Sequence, residues 1–235
     1  MFEQPLDLRN LWHVGPPFTA ARGDNISVNH IIQSLVGAAI CQWVFEEKFQ
    51  CTAMLKSPVL EQYRHHIVSL CGEKVLRGFD FAAHQSLIDD SHFQDSVLPR
   101  MASQLTERFF VAVQPFLVEN QCTETNVRFR PILEGIFRDA LDIKIAVMVS
   151  KDMYECIWPA PDSVFEKRSM ETERSKYHRE EPEGFRSDSR VRLPLVPGLA
   201  VYDHDRAMVD YYGFQRSDNA AAGSRRIIAK AIVLI

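Results

Sequence analysis

A mainly α chain, a multi-helix bundle finished by a small extended or β C-terminal subdomain, is the fold class that this sequence predicts. Three observations carry the reading. Apolar residues recur at the three-and-four spacing of one helix face from Val28 to Ala140, Gly and Pro crowd the segments before and after that region, and β-branched residues gather near Ile235. The chain therefore divides into an irregular N-terminal arm over 1–24, a helical domain over 25–150, and an extension over 151–235 whose short strands pack on the helices.

In the arm, Gly15, Pro16, Pro17 and Gly23 break helices, while Leu8, Leu11, Trp12 and Phe18 offer packing to the core. Asn25 or Ser27 caps the first helix. Its face is Val28, Ile31, Ile32, Leu35, Val36, Ala39 and Trp43, with Gln33, Gly37 and Gln42 off that face. The second helix takes Ser57 as N-cap, Pro58 at its first position, where a missing N–H costs nothing, and Gly72 as its stop. Val59, Tyr63, Ile67 and Leu70 form its buried stripe. Glu73 to Ile88 repeats the logic with Leu76, Phe79, Ala83 and Leu87 to make a helical hairpin, which Gly78 weakens by about 1 kcal/mol.

From Ser96 to about Val118 the stripe is Val97, Met101, Leu105, Ala112 and Phe116, widened by Leu98, Phe109 and Val113; Pro99 fits a first turn, whereas Pro115 ends or kinks the helix near Gln114. A last helix starts around Pro131 and buries Ile132, Leu133, Ile136, Phe137 and Ala140. Residues 143–149 fit strand alternation as well as helix, and the helical reading, through Ile143 and Val147, is preferred. Beyond Ser150, Pro159, Pro161, Pro194, Pro197 and Gly198 end the helical period. Glu166 to Arg192 is a polyampholyte with few large apolar residues, expected to be a solvated helix or loop that supplies no core. Leu195 to Tyr202 and Ile227 to Ile235 read as strands of one small sheet, and the apolar tail Ala231–Ile235 needs a place of burial in its own core or in a partner.

Composition narrows the function classes. With 235 residues and 46 % hydrophobic content, the chain builds a core without disulfides or metals. Its five cysteines are irregularly spaced and odd in number, with no C-x-x-C pair, which points to free thiols in an intracellular setting, cytoplasmic or nuclear. The net charge of −4 is spread over both signs without a basic face, so nucleic acid is not the expected partner. Glu3, Asp7 and Arg9 interrupt any signal-peptide core. The most apolar run, Leu35 to Phe45, is too short for a membrane span, so no membrane role is expected.

Few constellations bear chemistry. Asp89, Asp90 and Asp95, with Ser91 and His92 between them, offer hard oxygen ligands of the kind that hold Mg²⁺ and substrate phosphates. The cluster resembles the aspartate-rich motif of terpenoid synthases but departs from that family's D-D-x-x-D, since His92 and Phe93 take the fourth and fifth places, and no residue role is carried over. The plainer account makes Asp89, Asp90 and Ser91 the end of one helix and the cap of the next. Asp203, His204 and Asp205 are the candidate metal ligands of the extension. In extended backbone both carboxylates face one way and the imidazole the other, so a polar turn explains them more simply. His65 and His66 diverge around their helix and form a surface pair, with Glu61 one turn before His65. Cys41 and Cys71 read as buried thiols and Cys122 and Cys156 as thiols in breaks; none sits in a nucleophile motif. Neither Gly-rich phosphate cradle nor G-x-S-x-G occurs. Arg186-Ser187-Asp188-Ser189-Arg190 is an accessible candidate for phosphorylation.

Two readings follow. The first is a non-catalytic or accessory protein-interaction domain, with a protein partner or self-association and no cofactor, which predicts an exposed apolar patch. The second is a small helical enzyme acting on an apolar or phosphorylated metabolite, with Asp89, Asp90 and Asp95 holding Mg²⁺ in a cavity lined by Phe79, Phe109 and Phe137.

Overall fold

A computed structural model of the chain describes residues 26–47, 49, 58–114, 122–150, 152–173, 189–202, 214–215 and 225–235. Ser27 starts α1 (Val28–Ala39) with a reciprocal cap: its hydroxyl accepts the His30 N–H, and His30 Nδ1 accepts the Ser27 N–H, each at 3.3 Å. The chain runs on through a π-helical turn, Ile40–Phe45. Helices α2 (Pro58–Cys71) and α3 (Glu73–Ile88) are separated by Gly72 alone. Its φ of 85° lies where a Cβ is strained, which is why glycine stops one helix and opens the next. A second π turn, Phe93–Val97, leads into α4 (Leu98–Val113), with Pro99 in its first turn, and α5 (Cys122–Met148) is the longest helix, at 27 residues.

Among the described residues the C-terminal part forms two small sheets. One orders its strands β5 (Phe214–Gln215), β1 (Met153–Ile157), β4 (Gly198–Tyr202) and β6 (Arg225–Ala229); β1 runs antiparallel to β4 and parallel to β5, and β4 antiparallel to β6. The other orders β2 (Met170–Thr172), β7 (Ala231–Leu234) and β3 (Leu193–Val196), with β7 parallel to β2 and antiparallel to β3. Two continuous runs, β3–β4 and β6–β7, pass from one sheet to the other at Pro197 and Lys230. Gly198 makes that corner possible, since a Cβ there would stand 2.5 Å from the Ala231 nitrogen.

The main core is shared by α1, both π turns, α4 and α5, with Phe137 and Leu98 fully enclosed and Phe109 meeting Phe137 edge-on at 6.3 Å. Tyr154, Cys156 and Leu199 of the first sheet pack against it, and Phe214 stacks on Phe45 with ring centroids 4.3 Å apart. Gly37 is the contact point between α1 and the second sheet: a Cβ would fall 2.7 Å from the Trp158 ring and 2.8 Å from the Leu195 carbonyl. Among the described residues no helix is long and apolar enough to cross a membrane.

The mainly α reading holds at that level, and several finer expectations do not. α5 begins at Cys122 rather than near Pro131, so the helix runs through Pro131 in spite of the one backbone hydrogen bond that a proline removes. It continues to Met148, so 143–149 is helix up to its last turn. It buries Leu133, Phe137 and Ala140, and Leu141, Lys144, Ile145, Val147 and Met148 farther on, which bears out Leu133, Phe137, Ala140 and Val147 and leaves Ile132, Ile136 and Ile143 outside. The expected single sheet is two among the described residues, and β1, β2 and β5 fall where the sequence pattern shows no strand. Part of the charged stretch does supply core: Met170 and Val191 are buried with Val233. The arm, Ser57, Pro115, Phe116 and residues 174–188 lie outside the described residues.

Candidate functional site

The α2–α3 hairpin departs most from the sequence reading. Arg64 fixes which side of α2 meets α3, because its guanidinium lies 2.6 Å from the Asp80 carboxylate. At 100° per residue, Ile67 and Val68 flank Arg64 on that side, whereas Val59, Tyr63 and Leu70 lie roughly 100–140° around the helix. Those three are accordingly exposed, Leu70 at 83 %, Val59 at 74 % and Tyr63 at 60 %. On α3, Leu76, Asp80 and His84 are buried, while Val75, Phe79 and Leu87 are exposed. The stripe expected to be buried is thus largely open to solvent. Burial raises the Asp80 carboxyl above its ordinary pKa, against the opposing pull of Arg64 and His84. His84 also places Nδ1 2.8 Å from the Asp80 carbonyl.

A groove of about 690 Å³ lies between the first π turn, α4 and α5. Trp43, Val44, Phe49, Met101, Leu105 and Leu141 give it apolar walls, and Arg100, Arg108, His92 and Glu47 line it with charge or polarity. Arg108 stands 4.3 Å over the Trp43 ring and 3.2 Å from Glu47. Lys144, 1 % exposed, donates to the carbonyls of Val44, Phe45 and Glu47, acceptors that the end of a helix leaves without intrahelical partners. Among the described residues Glu47 is the one carboxylate lining the groove, and Arg108 engages it.

A buried polar set crosses the first sheet on the face away from the helices. Glu155 of β1 accepts the Tyr202 hydroxyl and meets Arg225, whose NH2 lies 3.1 Å from Oε1. Desolvation and the neighbouring carboxylate push the Tyr202 phenol up to about 12, so it stays a donor at neutral pH. The set ties β1, β4 and β6 together.

The aspartates singled out by sequence belong neither to the groove nor to the polar set. Asp89, Asp90 and Asp95 are all exposed. Asp89 closes α3 and accepts from Gln85 Nε2 at 3.1 and 3.2 Å, Asp90 accepts the His92 N–H at 3.4 Å, and Asp95 lies in the second π turn. His92 and Ser96 line the groove, but none of the three carboxylates does. Phe109 and Phe137 are core and Phe79 is exposed, so these rings line no common cavity. Asp203, His204 and Asp205 lie outside the described residues, and among those described no three His, Cys, Asp or Glu side chains are grouped to hold a metal. His65, His66 and Cys71 are exposed, which for Cys71 reverses the expected burial. Cys156 is in β1 rather than a break, with its sulfur 3.3 Å from that of Cys41. Of the serines proposed for phosphorylation, Ser187 is outside the described residues and the Ser189 carbonyl accepts the Phe165 N–H.

Sequence reading passed over Lys144, Glu155 and the Cys41–Cys156 pair. Only the first two carried a signal, as charges within otherwise apolar periods. Comparison of the chain with protein-family models, curated proteins and solved structures finds no match in any of the three.

Proposed function

We propose that this chain is a non-catalytic protein-interaction module whose α2–α3 hairpin docks helices of another protein chain, a second copy of itself included, to complete a multi-helix bundle. The observation that carries this is the uncovered stripe Val59, Tyr63 and Leu70, continued on α3 by Val75 and Phe79. Scattered exposed apolar residues are ordinary, but a row at helical spacing on two adjoining helices is the pattern of a helix-packing face. The hairpin also holds itself together through Arg64 and Asp80, leaving its apolar residues for a partner.

No observation favours the Mg²⁺-dependent alternative: its three carboxylates are exposed at a helix junction and outside the groove. The interaction reading is tested by sedimentation velocity over a concentration series. Wild type is expected to associate, and the Tyr63→Glu/Leu70→Glu variant to stay monomeric with an unchanged circular dichroism spectrum. A wild type that remains monomeric throughout, with a photocrosslinker at Leu70 giving no more adducts in cells than one at Glu73, defeats the proposal.

A further inference from the structure

Cys41 and Cys156 are 115 positions apart in sequence, yet their sulfurs lie 3.3 Å from one another. Cys41 belongs to the π turn after α1, and Cys156 to the central part of β1, on the sheet face that packs against the helices. Cys41 is buried in the helical layer, and Cys156 is partly buried beside Leu199, its partner in the β1–β4 ladder. A disulfide bond is about 2.05 Å long, so bonding requires the two sulfurs to close by roughly 1.3 Å.

We propose that Cys41 and Cys156 form a reversible disulfide site, closed by thiol–disulfide exchange with a low-molecular-weight disulfide of the glutathione class. The more accessible Cys156 thiol, as its thiolate, attacks one sulfur of the small disulfide; a mixed disulfide forms and one small thiolate leaves. Cys41 then gives its proton to solvent, and its sulfur attacks the Cys156 sulfur, expelling the second small thiol. Two protein thiols are oxidised by two electrons and one small disulfide is reduced to two thiols. Burial and the adjacent Cys156 raise the Cys41 thiol well above its ordinary pKa, so the second step is slow at neutral pH and accelerates as pH rises. Closure joins the helical layer to the sheet. The π turn that carries Cys41 also carries Trp43 and Val44, so oxidation fixes one wall of the groove.

The test equilibrates purified full-length protein with graded mixtures of reduced and oxidised glutathione, alkylates the remaining thiols, and maps the peptides by mass spectrometry. A linked Cys41–Cys156 peptide is expected, with a melting temperature about 5–15 °C higher that returns to the starting value on reduction. In Cys156→Ser the link and the shift are both lost, while Cys71 still takes up glutathione. Peptides joining Cys41 or Cys156 to a different cysteine, or glutathione adducts on exposed thiols with Cys41 and Cys156 both alkylated after unfolding, overturn the proposal. Should Cys156→Ser not fold, Cys41→Ala serves the same comparison. Should both fail, the wild-type peptide map decides alone.

Discussion

Lys144 sits where the period of α5 asks for an apolar residue, between Leu141 and Met148, and it is as buried as they are. A lysine there is tolerable because its ammonium carries three donors and three helix-end carbonyls receive them. The interaction also places a cation at the negative end of the α1 dipole. Lys144→Met keeps the volume of the stem but leaves those acceptors unpaired in the interior. The expected loss is about 2–4 kcal/mol of unfolding free energy, read by urea denaturation with an unchanged m-value. A loss under about 0.5 kcal/mol, the range of a surface substitution, contradicts the bonding described. Lys144 was legible in principle as the one charge inside an apolar stripe. The sulfur pair was not, since nothing local in sequence announces a contact across 115 positions.

Among the elements, the hairpin shows where periodicity succeeds and where it stops. Gly72 punctuated it correctly, and α2 and α3 fall close to where their stripes put them. The pattern does not state which side is covered, because apolar spacing records a face suited to packing without saying whether the packing partner belongs to the same chain. The polar pair decided that question: Arg64 and Asp80 took the contact between the helices, and the apolar row was left outside. Asp80 also gives the hairpin a pH signature. A carboxyl whose folded pKa is raised binds more protons folded than unfolded, so its contribution to stability is fully present below the unfolded value and is lost as pH rises through the folded one. Compared with Asp80→Asn, wild type should therefore gain relative stability on acidification through the window from the raised pKa down to 3.8. Chemical denaturation of both proteins across that window measures it, and a difference that moves the other way refutes the burial-dominated shift.

Across the whole molecule, the sequence showed the helical body and the C-terminal strands but not how the end of the chain is used. Ala231–Leu234 of the apolar tail is the central strand of the second sheet, with Ala231 and Val233 fully buried, Ile232 and Leu234 half-buried and Ile235 exposed, so much of its need for burial is met internally. Under the proposed interaction role the open apolar row is that of the hairpin, and the packing predicts an uneven distribution of stability. The helical and sheet layers share one apolar core through Phe137, Ile145, Cys156 and Phe214, whereas among the described hairpin residues Leu76 is the one large apolar side chain that is fully buried. Opening the hairpin therefore exposes little new apolar surface, while opening α4 and α5 exposes the core. Native-state hydrogen exchange on dilute protein should show amides of α2 and α3 opening at a free energy at least about 2 kcal/mol below those of α4 and α5, roughly thirtyfold in protection. Raising the concentration into the associated range should protect the hairpin and leave the core amides unchanged, because only the hairpin gains covered surface. Equal protection in both regions of the dilute protein would mean that the hairpin is already anchored to the body, and an apolar face so anchored would have no need of a second chain.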